Sequence, residues 1–201
     1  MENNNFISLQ GKVDGEVEFS HRVLDEDFYK FMLNVSRLSG VVDSLPVTVP
    51  ERLLENVQLN DGDAIALTGQ LRSYNKYQEN RTRLILTAFA KSIEAIGDEN
   101  ENPNNVMLNG YVCKIPTYRK TPFGREITDV IIAVNRAFNR SDYIPTICWG
   151  KNAVLCRDLP VGANVLIKGR LQSREYTKKL GEDFEIRTAY EVSVGEIEEI
   201  S

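Results

Sequence analysis

The sequence repeats itself once, and this repeat constrains the fold more than any other feature. Matching segments recur at a nearly constant spacing: residues 6–13 with 106–112, 31–37 with 130–136, 65–73 with 165–173, and 87–89 with 188–190. The offset drifts from 99 through 100 to 101, as small loop insertions between duplicated domains would produce. The chain is therefore expected to fold as two similar units.

A polar segment separates the two copies. Residues 98–105 are rich in asparagine and acidic side chains and are broken by Pro103, a composition typical of a loop. We interpret this segment as a linker. It divides the chain into a first domain at residues 1–97 and a second at residues 106–201.

Within each copy, apolar residues alternate with more polar ones, which is the period of a β-strand, as at Val130, Ile132 and Val134. One short helix is predicted between the third and fourth strands of each copy, at residues 50–57 and 151–157. Glycines inside the first and fourth strands suit the sharp coiling with which a short sheet closes. The pattern predicts an all-β chain with small helices, built as two tandem five-stranded OB-fold barrels.

The charge of the chain is distributed unevenly between the copies. The net charge is −5, but residues 1–100 have a balance of −6 and residues 101–201 a balance of +1. Without Glu101 and the three acids after Gly195, the second half reaches +5. The acidic total argues against a protein that coats duplex DNA with its whole surface, whereas the second copy alone is basic enough to contact phosphate.

Other classes of protein are disfavoured by what the sequence lacks. No apolar run approaches the ~18 residues of a membrane span, and the start of the chain has no signal-peptide pattern. The three cysteines form no CxxC pair and are interpreted as small buried apolar residues in a reducing compartment. The acidic run at residues 25–27 lacks the spacing of a calcium loop, and His21 has no nucleophile in view. We expect no metal, no cofactor and no catalytic residue.

The second copy resembles the bacterial single-stranded DNA-binding protein family. The resemblance rests on spaced elements that recur in order over residues 104–194: Asn135-Arg136, Tyr143 to Ala153 with Trp149-Gly150-Lys151, Gly162, and Gly169 to Tyr176. The first copy is a diverged relative, recognised through its match to the second. The arrangement is similar to that of family members with two OB domains in one chain.

This resemblance implies where bases and phosphates bind. In the family, aromatic platforms occupy the end of strand two, both ends of strand three, and the hairpin between strands four and five. The positions that match are Phe138, Tyr143, Trp149 and Tyr176. The cations around them are Arg119, Lys120, Arg125, Arg136, Lys151 and Arg174. Interleaved aromatics and cations are what sequence-independent binding of single strands requires.

The first copy departs from this pattern at three of the four platforms. Leu38, Ser44 and Pro50 stand opposite Phe138, Tyr143 and Trp149. In the second copy, Arg119, Lys120 and Arg125 lie in the loop between strands one and two. The equivalent loop of the first copy carries six acids against Arg22. Only the hairpin between strands four and five, with two tyrosines and several cations between residues 74 and 83, keeps a surface suited to stacking and phosphate contact. DNA binding is therefore predicted chiefly for the second copy.

Two functions compete at this stage. The first is a non-catalytic protein that coats single-stranded DNA in replication, recombination or repair. The second is a primosome-like or mobile-element accessory protein whose OB domains mainly dock protein partners, which the acidic first copy favours. A nuclease would need a carboxylate and metal constellation that these residues do not supply.

The resemblance also implies assembly and location. Since the family places four OB domains together, a chain with two is expected to form a homodimer. The family commonly carries an acidic tail that ends in Pro-Phe and recruits partners, whereas residues 196–201 are expected to follow the last strand and have no such motif. A cytoplasmic, nucleoid-associated protein is expected.

Overall fold

The computed structural model describes residues 4–55, 57–78, 81–97, 102–180 and 183–200. The strands of the first half are β1 (Asn5–Val23), β2 (Glu26–Ser36), β3 (Val42–Pro50), β4 (Ala64–Gln78) and β5 (Arg81–Ala95), with helix α1 (Glu51–Leu54) before β4. Those of the second half are β6 (Asn104–Val112), β7 (Thr117–Lys120), β8 (Glu126–Arg136), β9 (Arg140–Trp149), β10 (Asn164–Leu180) and β11 (Asp183–Glu199). Helix α2 (Lys151–Arg157) precedes β10, and a 3₁₀ turn (Ala137–Asn139) joins β8 to β9.

Each half closes into a five-stranded barrel. In the first, β1 pairs with β2 and β4, β2 with β3, and β4 with β5, while β3 and β5 pair in parallel. In the second, β6, β8, β9, β11 and β10 make the same circuit, and β7 adds a short hairpin to β8. The helix of each barrel lies between its third and fourth strands. The predicted fold of two tandem OB barrels is therefore confirmed.

The two cores repeat one set of positions. Fully buried side chains recur at an offset of 99: Leu9, Leu33 and Leu45 in the first barrel, and Leu108, Ile132 and Ile144 in the second. Strand alternation produces this pattern because every second residue points into the barrel. The remaining residues of each strand stay outside, where the two copies have diverged.

Two glycines are required where the fourth strand of each barrel bulges. The register of β4 against β5 shifts at Gly69, and that of β10 against β11 shifts at Gly169. A Cβ on these residues would lie 2.0 Å from the carbonyl oxygen of Phe89 and 2.2 Å from that of Ser193. Both approaches are too close for any side chain, so the strands coil sharply only because glycine is present.

A prediction about stability follows from this close approach. Gly169→Ala should destabilise the protein by about 1–3 kcal/mol or more, because the new methyl group forces the β10 and β11 backbones apart. Gly195→Ala is the control, since a Cβ there meets its nearest backbone atom at an ordinary 3.6 Å. Thermal unfolding followed by circular dichroism should show a lower melting temperature for Gly169→Ala alone. Equal melting temperatures for the two variants would contradict the packing argument.

The two barrels share one continuous sheet. Strands β1 and β6 pair in antiparallel fashion from Asn5 opposite Leu108 to Leu9 opposite Asn104. The pairing places Asn104 in a strand, inside the segment interpreted as a linker, while residues 98–101 lie outside the described residues. The division into domains at residues 97 and 106 stays a prediction. No helix in the described ranges is long and apolar enough to cross a membrane.

Two buried carboxylates connect the barrels reciprocally. Asp43 of the first barrel accepts hydrogen bonds from the backbone N–H and hydroxyl of Ser173 in the second, at 2.8 and 3.0 Å. Asp142 of the second accepts one from the backbone N–H of Ser73 in the first, at 2.8 Å. Both carboxylates are fully buried. Each barrel therefore contributes one buried acid to the other, an arrangement called the carboxylate exchange below.

Arginines neutralise both acids. Arg37 donates two hydrogen bonds of 2.6 Å to Asp43, and Arg72 donates one of 2.8 Å to Asp142. Burial alone would raise the pKa of Asp43, but the hydrogen bonds from Arg37 and Ser173 outweigh burial and lower it. The folded state therefore favours the ionised acid.

This lowered pKa makes the stability of the protein depend on pH. The stabilisation is complete above the ordinary carboxyl pKa of about 4 and is lost as pH falls through the lower folded-state value. Asp43→Asn should cost about 3–5 kcal/mol at neutral pH, because Arg37 loses its charged partner in a buried place. The variant should also lose stability less steeply than the parent below about pH 4.

Urea unfolding at a series of pH values tests this prediction. Glu196→Gln is the control, because it breaks an exposed ion pair with Lys168 and should change stability little. If Asp43→Asn unfolds at the same urea concentration as Glu196→Gln, the carboxylate exchange does not contribute to stability as argued.

Candidate nucleic-acid interface

Strand β9 presents two aromatic rings on its outer face. Tyr143 and Trp149 are 48% and 38% exposed, whereas Ile144 and Cys148, next to them in sequence, are fully buried in the barrel. The two aromatic residues are six positions apart along the strand, which at the rise of a strand is roughly 20 Å. Both rings therefore face solvent on one side of the sheet, with Pro145 between them.

The turn between β8 and β9 projects a third ring. Phe138 has φ 61° and is 94% exposed, and the next residue, Asn139, has φ 53°. A left-handed backbone is uncommon for a bulky residue and persists only where the surrounding structure holds it. The turn thus presents a phenyl ring to solvent beyond the Tyr143 end of β9.

The hairpin of β10 and β11 carries the fourth ring together with cations. Tyr176 is 37% exposed, and the guanidinium carbon of Arg174 lies 6.0 Å from its ring centre. Arg187 stands directly opposite Tyr176 on the neighbouring strand. Arg174 also pairs with Glu191 at 3.1 Å, which raises the pKa of the arginine through a hydrogen bond. The guanidinium groups of Arg174 and Arg187 are thus held near the tyrosine ring.

The hairpin of β7 and β8 holds three of the predicted cations. Arg119 pairs with Asp129 at 3.1 Å and Lys120 with Glu126 at 3.7 Å, and all four side chains are at least partly exposed. Arg125 is exposed and pairs with no carboxylate of the described residues. Ion pairs this open to water contribute little stability, so these cations can exchange a carboxylate for a phosphate.

Lys151 and Arg136 lie at opposite ends of β9. Lys151 is exposed at the start of α2, two residues after Trp149. The Arg136 guanidinium instead faces the buried Asp142 at 3.4 Å, which places it in the carboxylate exchange. Its assignment as a phosphate contact stays a prediction, and its packing contact is one that the sequence did not indicate.

A cleft of about 1360 Å³ lies between the hairpins of the two barrels. Its second-barrel side includes Pro145, Arg174 and Tyr176, and its first-barrel side includes Tyr77 and Arg83. Arg83 donates a 3.0 Å hydrogen bond to the carbonyl oxygen of Thr188 across the cleft. The face of β9 thus continues into a space that both barrels line. The sequence did not reveal it, because only the folded arrangement brings the two hairpins together.

In the first barrel, the positions that correspond to Phe138, Tyr143 and Trp149 offer no flat ring. The offset of 99 on both sides of this turn places the exposed Ser39, and not Leu38, at the position of Phe138, and Pro50 is buried at the position of Trp149. Several first-barrel aromatics contact one another instead. His21 stacks on Phe28 at 5.0 Å, and Phe28 lies 5.8 Å from Phe89. Among the described residues, no group of three acidic, cysteine or histidine side chains is placed to hold a metal ion.

Comparisons with known proteins agree with this description. The family model of the single-strand binding protein family matches residues 103–200. Single-stranded DNA-binding protein B of Bacillus subtilis is 34% identical over 88 residues, which are 39% of this chain and 75% of that protein. The single-stranded DNA-binding protein of Deinococcus radiodurans is 27% identical over 146 residues, which are 61% of this chain but only 48% of the relative.

A solved structure matches the fold over nearly the whole chain. The crystal structure of the single-stranded DNA-binding protein from Thermus aquaticus aligns with a TM-score of 0.78 and 20% identity, and covers 98% of this chain and 93% of that one. The molecule is thus a protein of two joined OB barrels. It belongs to the single-strand binding protein family.

Proposed function

We propose that the chain binds single-stranded DNA independently of sequence. Bases stack on Phe138, Tyr143, Trp149 and Tyr176, and phosphates contact Arg119, Lys120, Arg125, Arg136, Lys151 and Arg174. The observation that carries the proposal is the pair of exposed rings on β9, flanked by strand residues that the barrel buries completely. Four aromatic rings at least one-third exposed on one barrel expose much apolar surface to water, and stacking with bases covers such surface.

The second barrel supplies most of this binding surface. The extended β1–β2 hairpin of the first barrel carries Asp14, Glu16 and Asp25, all exposed, and these would repel phosphate. Its contribution is limited to Tyr77 and Arg83 at the cleft. The single strand of DNA therefore runs along β9 and enters the cleft between the hairpins of the two barrels.

The protein acts by covering single-stranded DNA and uses no cofactor. It protects single strands during replication, recombination or repair in the cytoplasm, in association with the nucleoid. The relatives are named for binding single-stranded DNA, which supports this role.

We propose a homodimer that gathers four barrels, and light scattering on a size-exclusion column should return twice the mass of one chain. A mass of one chain at micromolar concentration would contradict it.

A second function has its own support. The β1–β2 hairpin of the first barrel exposes Phe19, Val23 and Leu24, at 56%, 51% and 91%, beside its acidic residues. Such a surface suits a protein partner better than DNA. An accessory role in which the first barrel docks a protein is therefore the alternative, and it predicts weak binding of oligo-dT by the whole chain.

Binding of oligo-dT and duplex DNA distinguishes these functions. We expect tight binding of oligo-dT, weak binding of duplex, no cleavage with magnesium, and an affinity that falls steeply with salt. Trp149→Ala should weaken oligo-dT binding roughly tenfold or more, since stacking is worth ~1–3 kcal/mol per base. Its melting temperature should change little, because the ring lies partly outside the barrel.

Trp149→Phe and Phe19→Ala are the matched variants. The first keeps a flat ring at the same place and should retain most of the affinity. The second removes an exposed ring from the first barrel and should leave the affinity unchanged. Quenching of the single tryptophan by oligo-dT provides a direct signal. Unchanged emission on proven binding would exclude Trp149 as a platform.

A further inference from the structure

Two cysteines from different elements, eight positions apart in the sequence, are in contact near the proposed interface. Cys148 lies next to the last residue of β9, and Cys156 lies in the last turn of α2. Both side chains are fully buried, and their Sγ atoms are 3.1 Å apart. Both are free thiols, as is Cys113, which is only partly buried.

We propose that Cys148 and Cys156 are a site of oxidative modification that closes reversibly into an intramolecular disulfide. A disulfide bond is about 2.05 Å long, so the sulfur atoms must approach by roughly 1 Å. The segment between them contains Gly150 at φ 55°, a backbone state that glycine adopts without strain and that can adjust at the end of the strand. The proposal does not rest on DNA binding.

The packing of α2 holds the two sulfur atoms face to face. The Asn152 side chain donates a 2.9 Å hydrogen bond to the carbonyl oxygen of Gly195. The Thr128 hydroxyl donates one of 2.6 Å to the carbonyl oxygen of Ala153. These contacts fix the helix against β8 and β11, so the thiols stay aligned without a covalent bond between them.

The two thiols differ in acidity. Hydrogen bonding between the sulfurs, followed by burial, raises the pKa of Cys148. The same hydrogen bond lowers the pKa of Cys156, because its thiolate accepts from the Cys148 thiol. Cys156 is therefore the sulfur that ionises first and attacks, since the thiolate is the nucleophile in exchange.

The oxidant is a small disulfide, and the exchange takes two steps. The Cys156 thiolate attacks one sulfur of the small disulfide, which releases one small thiolate and leaves a mixed disulfide on Cys156. Cys148 then loses its proton and attacks the Cys156 sulfur, which releases the second small thiolate. Two protein thiols are oxidised and one small disulfide is reduced to two thiols. Since both cysteines are buried, the reaction needs local opening of the seven-residue helix.

The position of the pair connects its redox state with the proposed interface. Trp149 and Lys151 lie between the two cysteines in sequence, inside the loop that the disulfide would close. Cys148 points into the barrel and Trp149 away from it, so the disulfide would act on the indole through the backbone of residues 148–156 that carries both. Any change in the emission of the single tryptophan would therefore report the state of the pair.

The test uses the full chain without DNA. The protein is incubated with oxidised glutathione, a small acyclic disulfide, then denatured, alkylated and measured by mass spectrometry after digestion. We expect Cys148 and Cys156 to be joined and unalkylated, Cys113 to be alkylated, and any change in Trp149 emission to reverse with reduced dithiothreitol. Cys113→Ala should behave like the parent, whereas Cys156→Ala should retain its emission under the oxidant.

Clear results would overturn the proposal. If all three cysteines remain alkylated after prolonged incubation of the folded parent, the pair is only a buried thiol contact. A stable mixed disulfide on Cys156, or a bond to Cys113, would exclude closure between Cys148 and Cys156. Should Cys156→Ala fold poorly, the mass measurement on the parent still decides.

Discussion

The antiparallel pairing of β1 with β6 is the interaction on which the rest of the molecule depends. Each strand is already a wall of its own barrel, so the pairing satisfies edge backbone groups that would otherwise face solvent or another chain. Once β1 and β6 are in register, the barrels cannot rotate freely. In this register Asp43 lies against Ser173 and Asp142 against Ser73, so the hydrogen bonds of the carboxylate exchange can form.

Closure of each barrel explains why the two copies diverged on their outer faces but not in their cores. The core positions of the two barrels keep similar volumes, as at Leu45 and Ile144, since a closed barrel has little space for other shapes. The outer faces carry no such constraint. The first barrel therefore has Ser39 and Pro50 where the second has Phe138 and Trp149.

The sequence predicted the features that depend on local periodicity. Alternation of apolar residues predicted the strands, and the glycines inside the fourth strands indicated the bulges that the register shows at Gly69 and Gly169. The positions of Tyr143 and Trp149 at the two ends of the third strand came from the family resemblance. The repeat then predicted two barrels, because one copy gives the pattern of the other. As binding residues, the aromatics and cations stay predictions that rest on exposure and position.

Contacts between distant residues could not be predicted in this way. Asp43 and Ser173 are 130 residues apart, and neither belongs to a motif. The sequence predicts a phosphate contact for Arg136 but does not reveal that its guanidinium also faces a buried acid. Cys148 and Cys156 lack a recognisable spacing, since one is on a strand and the other on a helix.

Burial divides the cations of the second barrel into two groups. Arg136 faces a fully buried carboxylate, and separating such a pair is costly, so Arg136 contacts a phosphate only while it keeps its pairing with Asp142. Arg119 and Lys120 pair with exposed acids and can transfer to phosphate at little cost. A cation that leaves a carboxylate for a phosphate releases fewer counterions than an unpaired one. The salt dependence of binding should therefore reflect Arg125 and Lys151, which pair with no carboxylate in the described part of the chain, more than the total count of basic residues.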